Sequence, residues 1–341
     1  MPTLSKITRE DSTPRLTPFV RSFLKRVQNT VAKHQLWTNP KKESFVIGVS
    51  GGADSLCLLD VLFLLSQKRE FAIHVAHVNY RLRGKDADRD EALVRERVQH
   101  YGLTLSVLHP KKTSLSNLEE KLRDIRYHFL EKIRLQKKAT LIAVAHHEDD
   151  QAETFLLRLL RGSGMQGLSA MHPKNGFIVR PCIDMSRDDI LRYMKERALP
   201  YRTDLSNTDS KFLRNKIRHT LIPLLEREYQ PNIKNILSGT AALLAADYAH
   251  LDEPFSLPHL ITQNNLIFSA KELLHFPETH LRQQFRLLFR PLYGKKAPPK
   301  GVIEEVLKLL RSPKNKHQHL TFHGLKIERK GDTVRLLDFH I

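Results

Sequence analysis

Two glycines in a short polar loop are the first residues of this chain that point to chemistry. The loop from Ser50 to Ser55, SGGADS, follows an apolar, β-branched run, Phe45 to Val49, that has the length of a buried strand. A continuous apolar run from Leu56 onward predicts a helix that is packed on all sides. A strand, a glycine turn and a helix start together aim free backbone N–H groups at an anion. The loop therefore predicts a phosphate site.

The loop does not match the two most familiar phosphate-binding patterns. A Walker A loop has Lys and then Ser or Thr after its last glycine, whereas Ala53 and Asp54 follow here. A dinucleotide-binding loop has the pattern G-x-G-x-x-G, and this turn has only two adjacent glycines. An ordinary turn, with Ser50 as the helix cap, is the simpler alternative. Asp54 favours the phosphate site, because a hard cation that accompanies phosphates binds oxygen ligands.

A second group of chemically capable residues follows the apolar run ATLIAVAHH. Asp149, Asp150 and Glu153 are close in sequence, and the spacing of Asp150 and Glu153 puts both on one side of a helix start. Acidic residues at that position also stabilise a helix without any further role. Together with His146 and His147 they have the residue types of a metal site. Helix stability alone does not require two histidines, so we favour a functional site.

The elements that must position these residues alternate between strands and helices. Apolar runs that begin at Phe71, Leu103 and Ala139 are typical of strands, and helical patterns lie between them. This order predicts an α/β fold with a parallel sheet and helices on both faces. Ligands collect at the carboxyl ends of parallel strands. The loop, His77 and the acidic group all follow strand ends, so we expect them to form one site.

The chain of 341 residues is strongly basic, with 56 Lys plus Arg against 37 Asp plus Glu and a formal net charge of +19. Such a field attracts polyanions, and nucleic acid is the first candidate, although a basic proteome would give the same charge. Cys57 and Cys182 lie among apolar neighbours and form neither a zinc motif nor a disulfide framework. No apolar run has the length of a membrane span, so we expect a cytoplasmic protein without a membrane partner.

The loop, Ser-Gly-Gly-x-Asp-Ser after a strand, resembles the PP-loop of the N-type ATP pyrophosphatases, which cleave ATP between its α and β phosphates. Further segments resemble the tRNA(Ile)-lysidine synthetase family, in the order of that family: HVNYRLRG, AHHEDDQAETFLLRLLRGSG with GLSAM, RPCIDMSRDDI and DLSNTDSKFLRNKIRHTLIPLL. The resemblance covers Phe45 to Leu225. The family's usual histidine after HVN is Tyr80 here, which leaves the role of that position open.

The resemblance implies a ligase reaction in two steps. ATP first adenylates the C2 carbonyl oxygen of the wobble cytidine in an isoleucine tRNA with a CAU anticodon, and pyrophosphate leaves. The ε-amine of free L-lysine then displaces AMP and forms a carbon–nitrogen bond, which gives lysidine. We expect Asp54 to help hold Mg²⁺, which offsets the phosphate charge.

The resemblance also implies roles for individual residues. Asp150, Glu153 and Arg214 are expected to bind lysine, and together with Asp54 they form the expected catalytic set. Arg81, Arg83 and Arg218 are expected to contact tRNA, and a solvated surface charge is the alternative for each arginine. A structural histidine is the alternative for His146. The residues expected to bind ATP are Ser50, Gly51, Gly52, Ala53, Asp54, Ser55, His77 and His146.

We expect two domains. The PP-loop catalytic domain is predicted to span 1–225. A smaller α+β domain, 226–341, is predicted to begin with a long helix and to end in a hairpin that turns at Gly331-Asp332. It resembles the first C-terminal domain of the family, which contacts tRNA. The sequence does not determine the oligomeric state, and a homodimer is one option.

Two other functions are compatible with the loop and the charge. Another PP-loop enzyme, such as a tRNA thiolase, needs reactive or cluster-binding cysteines, and two scattered cysteines argue against it. A non-catalytic RNA-binding protein needs neither the loop glycines nor the acidic group, yet both glycines, Asp54 and the acids are all present.

Overall fold

The computed structural model describes most of the chain. The described residues are 16–39, 42–69, 71–82, 84–111, 118–202, 213–251, 257–258, 260–262, 265–293, 298–313 and 316–337. The chain divides into two compact units after Ala245. Within the described stretches, every helix is too short or too polar to cross a bilayer.

The first unit is built on a six-stranded sheet. Its strands are β1 (Ser44–Gly48), β2 (Ala72–Val78), β3 (Thr104–Leu108), β4 (Leu141–Ala143), β5 (Lys174–Asn175) and β6 (Ile178–Val179). The spatial order is β3-β2-β1-β4-β6-β5, and all neighbours are parallel except β5 and β6. The predicted parallel sheet is therefore confirmed. The sequence does not predict the antiparallel edge, because two-residue strands are too short for a period-two pattern.

Helices cover both faces of this sheet. The helices of the first unit are α1 (Pro18–Lys33), α2 (Ala53–Arg69), α3 (Lys85–His100), α4 (Leu118–Gln136), α5 (Glu148–Leu160), α6 (Met165–Leu168), α7 (Arg187–Glu196), α8 (Leu213–Lys216) and α9 (Ile222–Glu228), and α10 (Ile233–Leu251) begins in this unit. A π-helical turn, Ile217–Leu221, connects α8 to α9. The side chains of β1 explain the two layers, since Phe45 and Ile47 pack in one apolar cluster with α2 and Val46 packs in another with Leu130 of α4.

The second unit is α+β, as predicted. Its strands are β7 (Leu260–Thr262), β8 (Asn265–Ser269), β9 (Gln318–Phe322), β10 (Leu325–Lys330) and β11 (Thr333–Leu337), and its helices are α11 (Ala270–Leu274), α12 (Glu278–Phe289) and α13 (Lys300–Arg311). The strands form an antiparallel sheet in the order β7-β8-β11-β10-β9. Lys330 pairs with Thr333 across Gly331-Asp332, which confirms the predicted hairpin turn.

The compact units divide within α10, whereas the sequence places the domain boundary at Leu225. The first part of α10 belongs to the first unit because Leu237 and Ala241 pack in apolar clusters with residues of α5, among them Leu156 and Phe155. The sequence identifies the long helix but not the surface on which each half of it packs. A functional division at 225/226 stays a prediction.

One buried carboxylate joins helices of the first unit. Asp60 of α2 is fully buried. It accepts hydrogen bonds from the hydroxyl of Tyr101 (2.6 Å), from the hydroxyl of Tyr193 in α7 (2.5 Å) and from the guanidinium of Arg197 (2.9 and 3.0 Å). Four donors on one carboxylate offset the cost of removing it from water. The network holds α7 against α2 and thereby fixes Arg187 at the start of α7.

We expect Asp60→Ala to lower the free energy of unfolding of the first unit by about 3–5 kcal/mol, because it leaves a buried guanidinium unpaired. The measurement is a urea titration followed by the fluorescence of Trp37, the one tryptophan of the chain, which lies in the core of this unit. Asp188→Ala is the control, since Asp188 is an exposed acid of α7 and its loss should cost about 1 kcal/mol or less. Equal losses in both variants would contradict a special role for Asp60.

Candidate functional site

The glycine loop (residues 50–55) has a conformation that leaves N–H groups free for an anion. Gly51 has φ +92°, and a Cβ atom there would lie 3.3 Å from the carbonyl oxygen of Asp90. The first hydrogen bond of α2 runs from Leu56 N to Gly52 O. The N–H groups that precede it have no acceptor within the helix, and they lie at the positive end of its dipole. Both features suit a phosphate.

Ser55 holds the loop closed from inside. Its hydroxyl accepts from Ser50 N (3.1 Å) and donates to Gly52 O (3.0 Å). Arg202 ties the other side, since its N–H donates to Gly51 O (3.1 Å) and its guanidinium pairs with Asp90 of α3 (2.8 Å). The loop is therefore built in a fixed shape before any ligand arrives.

A cavity of about 220 Å³ opens beside the loop at the carboxyl ends of β1, β2 and β4. One end is polar and is formed by loop residues. The rest has apolar walls of small and branched side chains, which suit a flat base. The lining residues are Ser50, Asp54 and Ser55 from the loop, Gly48, Val49, Ala76, Val78, Leu130, Val144 and Ala145 from the walls, and Tyr80, Arg126 and His146.

The two histidines predicted to bind ATP have different positions. His146 lines the cavity, and its Nδ1 accepts a hydrogen bond from Arg180 Nε (3.0 Å). Burial, aided by the charge of Arg180, lowers the pKa of His146 to about 3, so the ring is neutral and carries its proton on Nε2. His77 is buried and does not line the cavity. Its Nδ1 donates to Val49 O (2.8 Å), so His77 supports the strand that leads into the loop.

The acidic group at the start of α5 is brought next to the loop, as expected. Asp149, Asp150 and Glu153 are all buried. His147, also buried, lies between the two groups: its Nε2 is 3.8 Å from Asp54 Oδ1 and 3.5 Å from Asp150 Oδ2. The cavity and the acid pair, Asp150 with Glu153, are therefore parts of one site. Neighbouring strand ends create this proximity, as the parallel sheet predicts.

Cations from later parts of the chain neutralise these acids. Arg187 Nη1 lies 2.6 and 2.7 Å from the two oxygens of Asp54. The backbone N–H of Arg187 also donates to Asp149 Oδ1 (3.0 Å). Lys234 of α10 lies 3.0 Å from Asp149 Oδ2 and 3.1 Å from Glu226. A continuous chain of charged contacts thus runs from α10 through α5 and α7 to the loop.

Two arginines, one in α8 and one in the π-helical turn, donate hydrogen bonds to the acid pair. Arg214 donates to Glu153 Oε2 (2.9 Å) and to Asp150 Oδ1 (3.1 Å). Arg218 donates to both oxygens of Glu153, at 2.8 Å for Oε2, and to Asp150 Oδ1 (3.3 Å). The pair and its two guanidinium groups together carry no net charge. Arg218, predicted to contact tRNA, thus lies beside Arg214 at the predicted lysine site.

The charges of this cluster reinforce one another. Burial by itself would raise the pKa of Asp150, but the neighbouring His147, Arg214 and Arg218 outweigh it and hold the pKa below its usual range. Burial would lower the pKa of Arg218, and its bonds to Glu153 raise it instead. Asp150 and Arg218 are therefore ionised at neutral pH.

Arg81, another predicted tRNA contact, lies in the loop after β2. Arg81 is exposed in a left-handed turn with φ +54°, and its N–H donates to Asn79 Oδ1 (3.0 Å). Arg83 lies outside the described residues. The sequence reasoning missed further residues of the site. They are Arg126, Arg180, Arg187 and Lys234. Arg180 and Arg187 lie within the segment RPCIDMSRDDI, but that segment gave neither of them a role.

The donor set suits a metal ion that arrives with phosphates. Among the described residues, no group of three or more His, Cys, Asp and Glu side chains is arranged to hold a metal ion. His146, His147 and the acids do not form the protein metal site that their residue types allow. Beside the loop, Asp54 offers one carboxylate at the polar end of the cavity. One carboxylate completed by phosphate oxygens and water is the usual way in which proteins bind Mg²⁺.

We expect Gly51→Ala to weaken the binding of ATP at least tenfold, because a side chain strains the left-handed backbone and presses on Asp90. Isothermal titration with ATP measures the effect. Gly52→Ala is the matched control for loop folding, since a Cβ atom there meets nothing closer than 3.7 Å. Gly52→Ala should unfold at the same urea concentration as the parent chain, and Gly51→Ala at a lower one. Full ATP affinity in Gly51→Ala would contradict this account of the loop.

Comparisons with known proteins agree with this geometry. Residues 21–225 match the family model described as a PP-loop domain. In structure, the U34-tRNA thiolase NcsA from Methanococcus maripaludis with its [4Fe-4S] cluster is similar in fold, with a TM-score of 0.55 at 20% identity over 67% of this chain and 80% of that chain.

Curated relatives give the closer sequence comparison. A tRNA(Ile)-lysidine synthase of Geobacter sulfurreducens is 41% identical over 279 residues, which are 78% of this chain and 58% of the relative. Another, of Porphyromonas gingivalis, is 33% identical over 327 residues, 92% of this chain and 68% of the relative. The chain spans little more than half the length of some relatives, 56% and 58% in two of them. The chain belongs to the PP-loop family and, within it, to the tRNA(Ile)-lysidine synthases.

Proposed function

We propose that this chain is an ATP-dependent ligase that joins lysine to C2 of the wobble cytidine in a tRNA(Ile) with a CAU anticodon. One observation carries the proposal: the nucleotide cavity and the acid pair are adjacent. His147 Nε2 is 3.8 Å from Asp54 at the cavity and 3.5 Å from Asp150 of the acid pair. An amine held by the pair would therefore lie next to a base activated in the cavity.

In the first step the C2 oxygen of cytidine attacks the α-phosphorus of ATP, and pyrophosphate leaves. The apolar walls of the cavity suit the adenine, and the loop N–H groups with the positive end of α2 stabilise the pyrophosphate charge. His146, neutral with its proton on Nε2, can donate a hydrogen bond inside the cavity. Mg²⁺ bound through Asp54 would offset phosphate charge, and Arg187 must release this carboxylate when the ion binds.

In the second step the ε-amine of lysine attacks C2, the C2–O bond breaks and AMP leaves. The amine must lose a proton before it attacks, and the low pKa of Asp150 suits this residue to holding the ammonium and not to accepting that proton. A lysine ammonium that joined the neutral cluster would leave an unbalanced buried positive charge. One arginine must therefore move out. Arg218 is the better candidate, because its side chain is 34% exposed and that of Arg214 is 24% exposed.

The remaining features fit an RNA substrate. The net charge of +19 favours a polyanion. Arg81, two residues after Asn79 in the loop that follows β2, offers an exposed cation. Cys57 and Cys182 are buried free thiols, as expected for a protein of the reducing cytoplasm.

The cysteines also argue against a thiolase. A [4Fe-4S] cluster is held by Cys thiolates, and this chain has only two cysteines. Burial, with the negative charge of Asp54, raises the pKa of Cys182 to about 12, and burial raises that of Cys57 as well. Neither thiol is ionised at neutral pH, so neither has the reactivity that sulfur transfer needs.

The test is an incubation of the chain with ATP, Mg²⁺, labelled lysine and a CAU-anticodon tRNA(Ile) transcript. We expect lysine in the RNA and free AMP in equal amounts, and none of either with a methionine tRNA. Asp54→Ala should abolish both products. Asp150→Ala should abolish lysine incorporation, whereas RNA-dependent release of pyrophosphate should partly survive.

Asp247→Ala, which removes an exposed acid of α10, is the control and should leave both products unchanged. AMP release without lysine in the RNA would keep an ATP pyrophosphatase but require another nucleophile. RNA binding without any ATP turnover would favour a non-catalytic RNA-binding protein. Equal loss of both steps in Asp150→Ala would contradict its role with lysine.

We expect Arg218→Gln to bind free lysine about fivefold or more tightly in the absence of ATP and RNA, because it removes the competing cation from Glu153. Isothermal titration with lysine measures this affinity. Arg227→Gln in α9 is the matched control, since Arg227 is 71% exposed and pairs only with the neighbouring Glu228 among the described contacts. Weaker lysine binding in Arg218→Gln would mean that this arginine is part of the lysine site and not its competitor.

A further inference from the structure

Four arginines lie close to one another near His146 and the nucleotide cavity. Arg123 and Arg126 come from α4, Arg158 from α5, and Arg180 from the segment after β6. Arg158 donates to the carbonyl oxygens of residues 167 and 170 (2.7 and 2.8 Å). Arg180 donates to the carbonyl oxygen of residue 172 (2.6 Å) and to His146. Their bonding partners are thus neutral groups.

None of these four arginines pairs with a carboxylate in the described part of the chain. Arg126 lines the cavity, and its buried Nε has no hydrogen-bond partner. The guanidinium carbons of Arg123 and Arg126 lie 5.3 and 5.4 Å from the ring centre of Tyr127. Burial lowers the pKa of Arg158 and of Arg180, and the charge of Arg123 adds to this effect in both. Partly buried positive charge without an internal counter-ion is a site for an anion.

The positions of the arginines distinguish two phosphate sources. The triphosphate has its own site at the loop, on the polar end of the cavity. Arg126 faces the cavity and can reach a nucleotide inside it. Arg123 is exposed and does not line the cavity, so it lies where a longer chain would pass. A guanidinium in such a place suits a phosphodiester, whose two free oxygens match its fork of donors.

We propose that Arg123 binds a phosphodiester of the RNA substrate next to the nucleotide that enters the cavity, with Arg158 and Arg180 adding positive potential behind it. This inference rests on the proposed function, since it assigns the RNA backbone to one wall of that site. The same wall would then hold the RNA backbone in place while the base reaches the α-phosphate of ATP. A bound phosphodiester would also explain why these four arginines have no acidic partner among the described residues.

Arg123→Gln tests the assignment through binding. We expect the Kd for a stem-loop RNA with a CAU anticodon, measured by fluorescence anisotropy without ATP, to rise about tenfold. The slope of log Kobs against log salt should become shallower by about 0.7, since one phosphate contact is lost. The affinity for ATP without RNA, measured by titration calorimetry, should stay within about twofold of the parent value.

Lys132→Gln is the matched control. Lys132 is an exposed cation of the same helix α4, but it lies on another face, beside a groove with Leu108 and His128. Lys132→Gln removes the same charge as Arg123→Gln and should leave the affinity for RNA nearly unchanged. Equal weakening by both variants would mean a general electrostatic field, and loss of ATP affinity with unchanged RNA affinity would assign Arg123 to the nucleotide. Either result overturns the proposal.

The two proposals can fail separately. Both binding measurements need no turnover, so they report on Arg123 even if no lysidine is made. If the parent chain makes lysidine but Arg123→Gln binds RNA normally, only the phosphodiester assignment is wrong. Trp37 fluorescence during urea unfolding confirms that each variant is folded.

Discussion

Carboxylates at the loop and at the start of α5 need cations, and the chain supplies them from segments that follow in sequence. Arg187 pairs with Asp54, Lys234 with Asp149, and Arg214 and Arg218 with Asp150 and Glu153. Each pair joins a different helix to the edge of the sheet where strands end. A buried carboxylate that lost all of its cations would keep an uncompensated charge, which costs more than the pair itself contributes. Charge compensation therefore determines how the helices around the site are arranged.

This compensation has a functional side, because substrate charges must replace internal ones. Under the proposed function, a cation that accompanies phosphates would replace Arg187 at Asp54, and a lysine ammonium would replace an arginine at the acid pair. Near His146, four arginines have no carboxylate partner among the described residues, and such charges suit an anion. The neutral His146 lies at the cavity, where a proton on its ring would add to this positive charge.

Much of the fold and part of the site are predictable from the sequence because their signals are local. The alternation of apolar strands and helices predicts the parallel sheet, and the glycine loop between the first strand and its helix predicts the phosphate site. The i, i+3 spacing of Asp150 and Glu153 predicts a shared face, and Arg214 and Arg218 indeed contact both residues. Gly331-Asp332 predicts the hairpin turn. Each of these depends on a few neighbouring residues.

The pairing of charges is not predictable in the same way, since it joins residues far apart in the chain. Arg187 and Asp54 are 133 positions apart, and no local pattern links them. His77 and His146 look alike in sequence as histidines after strands, yet one supports a strand and the other lines the cavity. The difference arises from strand order and side-chain direction. Arg218 is similar: its charge suggested RNA, whereas its helix turns it toward Glu153.

The two buried cysteines have a practical consequence. Both thiols lie in the core of the first unit, and burial keeps them protonated at neutral pH. Thiol-specific dyes and spin labels react with thiolates, so the unaltered chain should be nearly silent toward them. A single cysteine introduced on the exposed face of α4 would then carry the only label. The natural sequence can therefore be labelled at one introduced cysteine without removal of Cys57 or Cys182, and such a label would report on RNA as it reaches the cavity.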